Sequence, residues 1–157
     1  MSDHNSNNDT PAIGAALDFT LRLARAQAVM LRRLDATLGG HHGISFSDFM
    51  LLLYLNRAPG GRLRRVDLAE RQGLTASGVT RTLLPLEKIG LISREADPRD
   101  ARVGFAAITP TGQAMLNNAL LTAQQTCVEL LRNCPADQLD TLGAALGQVA
   151  GVHFSST

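Results

Sequence analysis

Two short stretches carry the side chains best suited to chemistry, and that chemistry is recognition. In "TASGVTR" (75–81), Ser77, Thr80 and Arg81 recur at steps that place them on one face of a helix. Hydroxyls and a guanidinium on such a face can hydrogen-bond base edges, and an arginine can give guanine two parallel bonds. Thr75 would cap the start of that helix, where free N–H groups also suit a phosphate. In "ADPRDARVG" (96–104), Asp97, Arg99, Asp100 and Arg102 alternate in charge. A linker, a solvated turn, or a tip built to touch another charged molecule would each look like this. Catalysis has no residue set: the sequence holds no nucleophile–base pair, phosphate loop or HExxH motif, so no enzyme is expected.

Net charge is only +1, which by itself points to no polyanion. Its distribution says more. Residues 57–102 hold ten Lys/Arg and six Asp/Glu, so the middle is basic and the rest mildly acidic. That asymmetry fits a nucleic-acid face on an otherwise neutral protein. The 157 residues suggest one domain, and 45% hydrophobic content supplies a core without staples. Cys127 and Cys134 are too few for a disulfide scaffold, and no CxxC pair is present for zinc. Adjacent His41 and His42 are poorly placed for one metal, and His4, His153 and Asp48 could join them only through tertiary structure. No metal and no cofactor are expected. The longest apolar run, Phe49 to Leu55, is too short to span a bilayer, and the polar start lacks the layout of a signal peptide. The expectation is a cytoplasmic protein without a membrane partner, with residues 1–11 a disordered tail.

The elements that must position these residues follow from periodicity. Ala12 to Leu38 is helical in pattern and apolar on more than one side, so it wants two neighbours, in its own fold or in a second subunit. "LGGHHG" (38–43) is expected to break it. Ser45 with Asp48 forms a capping box before a buried helix that stops at "NRAPGG" (56–61). "RLRRV" (62–66) is a short strand or a loop. A short helix over 65–72, a turn at "GLT" (73–75) and a second helix over 76–88 make a helix-turn-helix, closed by Gly90. "LISREA" (91–96) and "VGFAAIT" (103–109) are strands around the charged segment. Thr109 and Pro110 open a long helix running to Asn133, and Pro135 starts a last one. The fold class is mainly α with a small β-hairpin. A hairpin directly after a helix-turn-helix is a wing, which places its tip at a neighbouring minor groove or backbone. The linker reading fails on this ground.

The stretch "LAERQGLTASGVTRTLLPLEKIGLISREADPRDARVGFAAITPTG" (68–112) resembles the MarR family of winged helix-turn-helix regulators. The resemblance is sharp over these residues, above all in "DPRDAR" followed by "ITPTG", and looser over the whole chain. It implies one domain over 12–157, with a winged helix-turn-helix at 45–109. Helices over 12–44 and 110–157 would pair two subunits into a homodimer. It implies double-stranded DNA as partner, through Ser77, Thr80 and Arg81 on the recognition helix and Arg102 or Arg99 on the wing. Asp97 and Asp100 would order the wing. It implies a repressor on an inverted-repeat operator, released by a small aromatic or anionic effector. Phe19, Phe46, Phe49 and Tyr54 are candidates for that effector's pocket, or else plain core.

Two departures stand out. Pro85 lies inside the recognition helix, which is expected to kink after Leu83, with Leu84 pushed from helical geometry. Arg64 stands where a Ser or Thr cap would open the first helix; it cannot cap with an oxygen but could meet a phosphate. Two rivals share the fold. One is a thiol-based redox regulator using Cys127 or Cys134, which would share a helix face if the helix reached 134. The other is a winged-helix protein-interaction module that binds no DNA.

Overall fold

A 28-residue helix, α1 (Ala15–His42), opens the described chain. The computed structural model describes residues 12–100 and 102–151; the expected tail over 1–11, His4 and His153 lie outside the described residues. The glycine pair at 39–40 does not break α1, contrary to expectation. Two glycines cost a helix about 2 kcal/mol, but tertiary anchors bracket them. Leu38 is fully buried on one side, and on the other His42 Nε2 lies 2.8 Å from Thr122 Oγ1. The helix ends only at Gly43, whose left-handed φ of 70° few other residues adopt.

Helix α2 (Phe46–Arg57) starts at the expected capping box. Asp48 N–H donates to Ser45 Oγ at 3.0 Å, and Ser45 N–H donates to Asp48 Oδ2 at 2.9 Å. Phe49, Leu51, Leu52 and Leu55 are buried around most of its circumference, which makes α2 the centre of the core. A 3-10 turn (Pro59–Gly61) leads to β1 (Arg62–Arg64), then α3 (Arg65–Gln72) and α4 (Ala76–Lys88). Strands β2 (Ile92–Ala96) and β3 (Gly104–Ile108) follow. The expected hairpin is thus part of a three-stranded antiparallel sheet of order β1-β3-β2, and "RLR" is a strand. Leu63 opposite Ala106 carries β1 into the core.

Helix α5 (Pro110–Leu130) is capped by Thr109 with Pro110 at its first position, as expected, but stops three residues short of Asn133. Pro135 disfavours helical geometry at Cys134, and the chain turns there through a Cys134 N–H to Leu131 carbonyl bond. A 3-10 turn (Ala136–Gln138) leads into α6 (Leu139–Ala150), none of whose residues is buried. No helix among the described residues is long and apolar enough to cross a membrane.

Candidate nucleic-acid interface

Helices α3 and α4 meet through a turn in which Gly73, at φ 63°, takes the left-handed conformation and sends its N–H back to α3 carbonyls. Leu68, Ala69, Val79, Leu83 and Leu86 bury the inner faces of the pair. Thr75 caps α4 by accepting the Gly78 N–H at 3.1 Å, which leaves its own hydroxyl hydrogen for another acceptor. Ser77 and Arg81 are exposed on the outer face, and Arg81 forms no ion pair among the described residues. Thr80 differs: half-buried, it donates its hydroxyl back to the Ala76 carbonyl at 3.1 Å, so only its acceptor capacity faces outward.

Leu84 is not pushed from helical geometry as expected: α4 runs unbroken through Leu84 and Pro85 to Lys88. Leu83 and Leu86 are both buried and pin the helix on either side of the proline. Arg81 and Pro85 share the exposed face, so water can take the carbonyl that the proline leaves unpaired.

At the wing, the aspartates face inward to the backbone and the arginines outward. Asp97 Oδ1 accepts the Arg99 N–H at 2.8 Å, and Asp100 Oδ1 accepts the Arg102 N–H at 3.0 Å. Asp97 N–H to Val103 carbonyl (3.0 Å) and Val103 N–H to Asp100 carbonyl (2.9 Å) close the loop. These turns hold the tip without a core. The Arg102 side chain is 94% exposed, with its Nε 3.4 Å from Asp100 Oδ1. Arg99 is also exposed.

Arg64 is the N-cap residue of α3, and its guanidinium grips Asp67 with bonds of 2.9 and 3.1 Å. Those two bonds, and the charge of Asp67 and more distantly Asp97, raise the Arg64 pKa further against a small opposing desolvation. The missing cap oxygen is thus offset by an ion pair across the first turn.

Sequence reasoning missed the links that join wing to body. Arg94 Nε bonds Glu87 Oε2 at 2.7 Å, tying β2 to α4. Arg62 lies over the Phe105 ring at 4.9 Å and reaches Glu95 at 3.1 Å. The arginine-rich "RLRR" was the available signal, since arginines beside a sheet edge have carboxylates and rings within reach.

The four aromatic residues do not converge. Phe46 and Phe49 stack with centroids 6.0 Å apart, Phe49 fills the core, and Tyr54 packs against it, while Phe19 is half-exposed on the N-terminal part of α1. The two cysteines are not both buried and do not share a helix face: α5 ends before Cys134, which is exposed. Cys127 is half-buried, and burial pushes its thiol pKa up, away from reactivity.

Comparison with known proteins bears on this geometry. Residues 42–103 match the MarR family model. An uncharacterized HTH-type transcriptional regulator of Bacillus subtilis, YdgJ, is 29% identical over 96 residues, 61% of this chain and 57% of that protein. The chain therefore matches little more than half the length of that relative. A MarR family transcriptional regulator from Streptomyces coelicolor, solved in complex with DNA, superposes with a TM-score of 0.80 at 26% identity, covering 92% of this chain and 91% of that one. A mutant MarR from E. coli complexed with operator DNA has a TM-score of 0.75 at 24% identity over 85% and 94% of the two chains. These matched proteins are transcriptional regulators, not enzymes.

Proposed function

For a chain that carries a MarR-family winged helix-turn-helix, we propose the work of a homodimeric DNA-binding transcriptional regulator. The observation that carries this is the division of labour at the wing: both aspartates accept backbone N–H groups, and Arg102, only loosely paired with Asp100 at 3.4 Å and 94% exposed, turns its guanidinium to solvent beside exposed Arg99, where a polyanion can reach both. Beside them α4 presents Ser77 and Arg81 on its exposed face, near a helix start where Thr75 can hold a phosphate. Arg81 reads a base edge, and Arg102, with Arg99, enters the minor groove or grips a phosphate. Thr80 adds an acceptor, and Asp97 and Asp100 hold the wing. Arg64, bound to Asp67, adds long-range charge toward the backbone rather than a base contact.

Two recognition helices about one helical turn of DNA apart require an inverted-repeat operator. The protein represses by occupying that operator. A small aromatic or anionic effector releases it by preferring a subunit spacing that cannot bind DNA. Phe46 and Tyr54, at the margin of the core, are the aromatic groups placed to meet such a molecule.

Selection of bound duplexes from a random pool tests the reading. An inverted repeat is expected to emerge, with affinity falling steeply as salt rises. Arg81→Ala should cost about 1–3 kcal/mol and relax specificity at one position in each half-site. Arg102→Ala should weaken binding more evenly across sequences. Enrichment of no duplex at low salt would overturn the proposal.

A further inference from the structure

Besides the Arg94–Glu87 pair that ties β2 to α4, two arginines hold the wing at its root, one on each face of β3. Gly104 and Phe105 begin that strand and, being consecutive, point to opposite faces. On the Phe105 face lies Arg62, over the ring and bonded across to Glu95 of β2. On the Gly104 face lies Arg65, the first residue of α3. A Cβ built on Gly104 would stand 2.8 Å from Arg65 Nη2, 3.2 Å from Nε and 3.3 Å from Cζ. The guanidinium thus occupies the space that any side chain at 104 would need. Arg65 is half-buried and makes no ion pair or side-chain hydrogen bond among the described residues. Its planar group is committed to packing.

We infer that Arg65 is a positioning residue that sets the wing against the helix-turn-helix, with Gly104 as its seat. The wing tip has no core of its own, and β2 and β3 reach it as a two-stranded ribbon, because β1 ends at Arg64, opposite Phe105. Past that point only the Ala96–Gly104 pair and the closing loop carry the tip, and a two-stranded piece that short is marginally ordered by itself, so its order depends on how its root is held. Arg65 holds it from the element that also begins the helix-turn-helix. It thereby fixes the distance between Arg102 on the wing and Arg81 on α4, which one DNA site must match.

The inference rests on the DNA-binding reading for one of its two readouts only. The first readout is amide hydrogen exchange of the free, full-length protein. Arg65→Ala and Gly104→Ala should each speed exchange in the 92–108 segment about fivefold, leaving α2 and α5 unchanged. The double variant should be no faster than either single one, because both remove the same contact. Gly104→Ala displaces only the flexible end of an arginine, so the fold survives. Arg65→Lys should behave like Arg65→Ala, since an ammonium lacks the flat face. The second readout is affinity for a duplex that the wild-type protein enriches from a random pool. Both single variants should weaken it by the same factor, about fivefold, with the same salt slope. Unaltered exchange, additive exchange effects, or rescue by Lys would each overturn the positioning role, the last in favour of a direct phosphate contact. If the wild-type protein enriches no duplex, the functional reading fails, and exchange alone decides the inference.

Discussion

Gly112 is the most crowded of the described glycines. A Cβ there would fall inside the van der Waals shell of the Leu91 carbonyl oxygen and 2.9 Å from Ile108 Cγ1. The crowding is a product of Thr109. Its hydroxyl donates to the Gly90 carbonyl at 2.6 Å and accepts the Gly112 N–H at 3.0 Å, while its own N–H reaches the Leu91 carbonyl at 3.1 Å. The "TPTG" motif thus bolts the first turn of α5 to the chain leaving α4. Gly112→Ala should cost about 3 kcal/mol, the upper end of ordinary overpacking, because the clash is with backbone that cannot step aside. A urea denaturation curve reads this directly, and an unchanged midpoint would show that the two elements can separate without penalty. At Gly104 the obstacle is the end of a side chain, so the same substitution should leave the midpoint nearly in place.

Helix α4 shows what is legible at the scale of an element. Its bounds, 76 to 88, and its Thr75 cap were readable because cap chemistry and the spacing of Val79, Leu83 and Leu86 are local. The bounds of α3 and the "GLT" turn were readable for the same reason. The continuity of α4 through Pro85 was not, because a proline's effect depends on what holds its two sides. Likewise α1 passes through two glycines because Leu38 and His42 anchor it to the rest of the fold. The turn-forming place of Asp97 and Asp100 was legible in the wing's sequence, whereas Arg62 and Arg65 were not, since their partners Phe105 and Gly104 lie some forty residues away in the chain. The proline leads to a measurable consequence. Pro85 is exposed and its helix is regular, so Pro85→Ala restores a hydrogen bond to the Arg81 carbonyl without removing core contacts. A helix-interior proline costs about 3 kcal/mol, of which its stiffening of the unfolded chain recovers up to about 1. Stability should therefore rise by about 2 kcal/mol in chemical denaturation; a fall would mean that the helix is shaped around the proline ring.

Across the whole molecule, burial is uneven in a way that one chain does not resolve. The core gathers α2, the inner faces of α3 and α4, the sheet, and parts of α1 and α5. The N-terminal half of α1 leaves Leu17, Phe19 and Leu21 about half exposed, and α6 buries nothing while displaying Leu142 and Val149. So much apolar surface on two helices is what the pairing of subunits proposed above would cover. Leu142→Glu should then convert a dimer to a monomer in sedimentation velocity. The far-UV spectrum should stay helical, because Leu142 contributes nothing to the core of its own chain. Loss of the second recognition helix removes the avidity of two half-sites held together, so affinity for an inverted repeat should fall by about 10²-fold or more, while the weak binding to a single half-site persists. If Leu142→Glu and Val149→Glu both leave the protein dimeric, α6 is not the pairing helix. If the wild-type protein is itself monomeric, the inverted-repeat requirement goes with it, because nothing else in the fold would hold two recognition helices one turn of DNA apart.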